Sequence, residues 1–176
     1  DRDEEVISQG EIDTMLGLEG TFYEAIHYAP GHPPLSQAEA SRRFDLDEQG
    51  IRYVVDLGIL TPVIRDGKEY FEGDDLLILE CFADMQRAGF DESFVPTELA
   101  MPKYVTAIGA LAREELKMFT QAATANVEDP GQVASMALDG LKLLERFIVL
   151  VRRKMMLRAI QELRLDSENE STGTGN

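Results

Sequence analysis

The stretch Leu35–Asp91, LSQAEASRRFDLDEQGIRYVVDLGILTPVIRDGKEYFEGDDLLILECFADMQRAGFD, decides how the rest of the chain is read. Ser36 with Glu39 three residues later is a capping box and opens a short helix carrying Ala38, Ala40 and Phe44. Asp47 is suited to cap a second helix, whose Ile51, Val54, Val55 and Leu57 face inward and which stops at Gly58. Ile59–Arg65 and Lys68–Phe71 flank Asp66-Gly67, a pair that accepts the positive φ of a tight hairpin turn. Asp74 and Asp75 favour the positive end of a third helix, which runs through Met85 and is closed by Gly89. Cys81, between Leu79 and Phe82, is read as a core side chain of that helix. Two short helices, a hairpin and a third helix in this order make a winged helix-turn-helix with a small β-hairpin wing.

Composition bounds what such a unit can do. Hydrophobic residues make up 44% of the 176 and charged residues 28%, the balance of a folded chain with an ordinary core. The formal charge of −16 argues against a free-standing binder of phosphate backbones, whose affinity rests on Lys and Arg, without forbidding a local basic patch. A single cysteine, Cys81, excludes an internal disulfide and a cysteine-cluster zinc site. His27 and His32 show no metal-ligand spacing with it, so no metal or other cofactor is expected. No nucleophile–base set, phosphate-cradling loop or spaced carboxylate pair points to an enzyme. No apolar run approaches the roughly 20 residues that span a bilayer, and no secretion signal opens the sequence. The cytoplasm is the expected location, with no membrane partner.

The flanks read as helices. Asp1–Glu5 is an acidic lead-in, and Ser8 with Glu11 repeats the capping-box pattern. Ile12, Met15, Phe22, Tyr23 and Ile26 then recur at helical spacing, up to the irregular connector Ala29–Pro34. Beyond the central stretch, Pro102 suits the first position of a helix with a stripe of Val105, Ile108, Ala112, Leu116 and Phe119. Asp129-Pro130 opens a long helix to about Leu165. Its Phe147-Ile148-Val149-Leu150-Val151 run is apolar on every face, so it requires burial on more than one side. Leu141, Leu144, Ile148, Val151 and Met155 approximate a heptad over two repeats and are read as a homodimer seam. The alternative is an intramolecular pair with Val105–Phe119. The expected division is an N-terminal helix and connector (1–34), the winged module (35–91), a helical dimerisation region (92–165) and a disordered tail (166–176).

Over Leu35–Asp91 the sequence resembles the MerR family of bacterial transcription regulators. The matching residues are Leu35-Ser36, Glu39-Ala40 and Arg42-Arg43-Phe44, then Ile51-Arg52-Tyr53 and Leu57-Gly58-Ile59-Leu60-Thr61-Pro62. Arg65, Gly67, Tyr70-Phe71, Asp75-Leu76 and Gly89-Phe90 follow in order at the family's spacing. The resemblance implies a dimer that sets its second helix in the major groove of duplex DNA and its wing against the backbone, acting with RNA polymerase. It further implies DNA contacts from Arg52 and Tyr53, from Lys68 and Tyr70 in the wing, and from Ser36 at a helix N-terminus, with Arg42 and Arg43 as further phosphate contacts.

The departures from the family are equally legible. Its second tyrosine and following glutamate are Val54 and Val55 here, and the reading helix opens with Asp47-Glu48-Gln49-Gly50. A wing arginine has become Glu69, and Pro96 cuts the short helix expected after Gly89. Acidic side chains outnumber Arg and Lys about two to one across Leu35–Asp91. A second reading therefore stands beside the first: a winged module that no longer reads DNA and serves protein interaction or oligomerisation. A basic DNA-reading copy is then expected upstream of Asp1 or in a partner. On that reading Tyr53 packs at the helix edge and Arg52 pairs with a local carboxylate such as Glu48. Arg42 and Arg43 become ordinary solvated cations. The long helix is the one basic segment of size, with a net charge of +4 from Asp139 to Arg164. Its Arg152-Arg153-Lys154 cluster is read as pairing with acidic protein surface rather than nucleic acid.

Overall fold

The computed structural model describes residues 8–27, 32–90, 97–126 and 130–173. They form a mostly helical structure with one two-stranded antiparallel sheet: α1 (Gln9–His27), α2 (Gln37–Phe44), α3 (Glu48–Asp56), β1 (Val63–Arg65), β2 (Lys68–Tyr70), α4 (Asp74–Arg87), α5 (Thr97–Asn126) and α6 (Pro130–Gly173). The chain divides into two compact units, Asp1–Pro130 and Gly131–Asn176. This differs from the boundary near residue 91 suggested by sequence, because α1 packs on both α4 and α5 and gathers them into one unit.

Local chemistry accounts for the short elements. The Ser36 N–H and hydroxyl both donate to the Glu39 carboxylate, at 2.8 and 2.5 Å, and α2 starts there. It ends at Asp45, whose left-handed φ of 56° an aspartate tolerates, and a three-residue turn leads to α3. The Asp47 carboxylate accepts the Gly50 N–H at 2.9 Å and caps α3. Gly58, at φ 73°, stops that helix, its N–H donating to the Val55 carbonyl. Asp66 and Gly67 both take positive φ, the mirror-image turn whose twist suits a hairpin, and Arg65 pairs with Lys68 across it.

One core holds these pieces together. Phe71, Leu60, Leu76 and Leu79 are fully buried with Ala40, Phe44, Ile51, Val54 and Ala83. Burying each large side chain contributes roughly 1.5–3 kcal/mol. The backbone adds a bridge: Leu35 and Phe71 exchange N–H···O bonds of 3.0 and 2.8 Å, tying the entry of α2 to the exit of the hairpin. Along α4 the buried apolar positions are Leu76, Leu79 and Ala83, one helical stripe. Cys81 lies on the opposite side and is exposed, not the core residue its neighbours suggest. Ala38 is exposed for the same reason, since Ala40 and Phe44 define the inward face of α2.

The long helices depart further from expectation. Among the described side chains of α1 Leu18 is buried, with Met15 and Phe22 half-buried beside it, whereas Ile12 and Tyr23 are exposed; the Ile26 side chain lies outside those described. Helix α5 begins at Thr97 and carries Pro102 inside it rather than at its first position. A proline there removes the N–H that would bond the carbonyl four residues back, that of Glu98. The Tyr53 hydroxyl donates to that Glu98 carbonyl at 3.4 Å, so the helix passes through the proline without leaving an orphaned acceptor. The stripe read on α5 is open, with Val105, Ile108, Ala112 and Leu116 exposed and Phe119 half-buried. Helix α6 continues to Gly173, beyond residue 166 where sequence suggests a disordered tail, since no proline or glycine interrupts 166–172. The expected lead-in 1–5 and the Asp91 and Pro96 signals lie outside the described residues, as do positions 29–31 of the connector and 174–176 of the tail. Among the described residues no helix is long and apolar enough to cross a membrane.

Candidate nucleic-acid interface

The sequence-predicted contact residues fall into two groups, those already engaged within the protein and those free of ion pairs. Ser36 belongs to the first. Its hydroxyl and N–H are both taken by Glu39, which places a carboxylate where a phosphate would meet the start of α2. Those two hydrogen bonds hold the Glu39 carboxyl below its ordinary pKa, so this negative charge persists.

Arg52 is engaged by two carboxylates. Its Nε donates to Asp56 Oδ1 at 3.2 Å, one turn along α3, and its Nη1 donates to Glu69 Oε2 at 3.0 Å on β2. The carboxylate partner is thus not Glu48 but Asp56 together with a wing residue 17 positions away. Half-exposed pairs of this kind contribute about 0–1 kcal/mol each, enough to orient a guanidinium but not to lock it. Tyr53, half-buried against the core, spends its hydroxyl on the Glu98 carbonyl of α5. Its hydroxyl bonds the carbonyl that Pro102 leaves without a helical donor.

Arg42, Arg43 and Lys68 are exposed and carry no ion pair among the described residues. The Arg43 guanidinium sits 5.8 Å from the Phe44 ring centroid, a cation–π distance that leaves its edge free for an anion. On β2, side chains alternate between faces, so Lys68 and Tyr70 share one face while Glu69 occupies the one turned to Arg52. Lys68 and Arg52 thereby lie on opposite sides of the pleat. Arg65 pairs with Glu72. Sequence reading missed the Arg52–Glu69 and Tyr53–Glu98 links because each joins residues far apart along the chain; the change to Glu69 was the visible sign of the first.

Behind the hairpin, His27, Ile59, Thr61, Glu72, Asp74, Asp75 and Ile78 line a cleft of about 180 Å³. Both oxygens of the buried Asp75 accept the Thr61 N–H, at 3.1 and 3.0 Å, fixing the segment that leads into β1. Burial raises the Asp75 carboxyl above its ordinary 3.8, opposed by the Thr61 N–H and by His27, and burial raises Asp74 likewise. An acid with a raised folded-state pKa favours the fold when neutral. Its contribution is complete below pH 3.8 and is lost as pH rises through the raised value. Urea unfolding of the native chain and Asp75→Asn at pH about 3.5 and about 6 should show the native protein losing stability relative to the variant at the higher pH. A difference that stays constant with pH contradicts this assignment.

On α6, Leu141, Ile148 and Val151 are half-buried while Leu144 and Met155 are exposed. Phe147 remains 60% exposed, and Val149 and Leu150 are exposed too, so the apolar run is uncovered over much of its circumference within one chain. Among the described residues no group of three or more His, Cys, Asp or Glu side chains is placed to hold a metal ion. No family profile, curated protein or solved structure matches this chain.

Proposed function

We propose that this chain is a MerR-like transcriptional regulator whose α2, α3 and β1–β2 hairpin form a winged helix-turn-helix that meets duplex DNA. One observation carries the reading. Two short helices joined by a three-residue turn share a single core with Leu60 and Phe71, which lie on either side of a tight hairpin, and a salt bridge joins α3 to β2. This is the arrangement that presents a helix to a major groove and a strand pair to the adjacent backbone. The contacts run through Arg42, Arg43 and Lys68, with Tyr70 beside Lys68 and with Arg52 once released from its carboxylates. The protein acts as a homodimer through Leu141, Leu144, Ile148, Val151 and Met155 of α6, and RNA polymerase is the larger partner of such a regulator.

The test is binding of the purified chain to duplex DNA over a salt series. Affinity is expected to fall with salt, and removing Arg42, Arg43 or Lys68 should each reduce the slope by about one unit. Absence of binding at low salt eliminates this function. The second reading, a winged module kept for protein interaction, is favoured by the engagement of Ser36, Arg52 and Tyr53 inside the chain. It expects no salt-dependent DNA affinity.

A further inference from the structure

Arg52 is held by two carboxylates from different elements, Asp56 on α3 and Glu69 on β2. We propose that Glu69 and Asp56 form an intramolecular clamp, a pair of phosphate stand-ins that hold Arg52 away from DNA and set the threshold for binding; this rests on the DNA-binding reading of α3 and the hairpin. A guanidinium bridges anionic oxygens through its N–H edges. Two of those donors, Nε and Nη1, are occupied at 3.2 and 3.0 Å by carboxylates from different elements.

The local charge follows from this. One cation between two carboxylates leaves a net negative spot on the outer face of α3, which repels a polyanion rather than steering it in. Every member of the clamp is exposed by 40% or more, so a phosphate can compete with either carboxylate. The Glu69 arm also couples the hairpin to α3, so drawing Arg52 toward a backbone removes one tie on the wing. Arg65 is neutralised in parallel by Glu72, while Arg42, Arg43 and Lys68 carry no ion pair among the described residues. The first encounter with DNA is therefore made by those three cations. The clamp keeps Arg52 out of that contact.

The full chain, Asp56→Asn/Glu69→Gln and the same pair with Arg52→Ala would be titrated with a short duplex at low salt, read by fluorescence anisotropy. Arg52→Ala alone completes the cycle. Neutralising the carboxylates should tighten binding about 10-fold or more and raise the salt slope by about one, the signature of one more cation reaching a phosphate. Adding Arg52→Ala should abolish that gain, whereas Arg52→Ala in the native background should change affinity less than about twofold. An unchanged affinity in Asp56→Asn/Glu69→Gln overturns the clamp while leaving the DNA reading intact if the native chain binds. A gain that survives Arg52→Ala also overturns it, since simple relief of repulsion then suffices. Absence of binding by every variant defeats both proposals together.

Discussion

Phe71→Ala should lower the stability of the first compact unit by about 3–5 kcal/mol, the range for emptying a buried aromatic site. Phe71 has no exposed surface, lies among Leu60, Leu76 and Leu79, and anchors the backbone bridge to Leu35 at the point where hairpin, α2 and α4 meet. Few side chains here could collapse into the space, because α4 and the hairpin are each tied elsewhere, by Asp75 to Thr61 and by Arg52 to Glu69. A domain of this size is stable by only about 5–15 kcal/mol, so the loss is a large fraction of the total. Hydrogen exchange of the Leu76 and Leu79 amides under increasing urea reads this directly. A change below about 1 kcal/mol contradicts the central place given to Phe71 in the core.

Ile148→Glu should convert a dimer into a monomer. The apolar run of α6 is uncovered within one chain, and a second copy is the partner proposed for it. Placing a glutamate at the centre of the Leu141–Met155 stripe buries two like charges per dimer without partners. A weakening of self-association by about 100-fold or more is expected, and sedimentation equilibrium gives it. A native chain that is monomeric at micromolar concentration contradicts the seam, as does an Ile148→Glu variant that associates unchanged.

What the sequence discloses and what it hides divide along physical lines. The Ser36–Glu39 start, the Asp47 cap, the Gly58 stop and the Asp66-Gly67 turn were legible because each is decided by neighbours within a few residues. The hydrophobic period placed Ile51 and Val54 in the core. It misled at Cys81 and Ala38, where apolar character outweighed face. The start of α5 was hidden because a proline usually marks a first helical position, whereas this helix runs through Pro102. The candidate site followed the same rule. The positions of Arg52, Lys68 and Tyr70 on a short helix and a hairpin could be read. The engagement of Arg52 by Glu69 depends on how the hairpin folds back toward α3, and no local pattern records that.

The most direct measurement on the central claim is a backbone NMR titration of the isotope-labelled chain with a short duplex at low salt. DNA docking through α2, α3 and the hairpin predicts that chemical-shift changes concentrate on Arg42, Arg43, Lys68 and Tyr70 and fade as salt is added. Shifts confined to α4 or α6, or an unchanged spectrum at saturating duplex, contradict it.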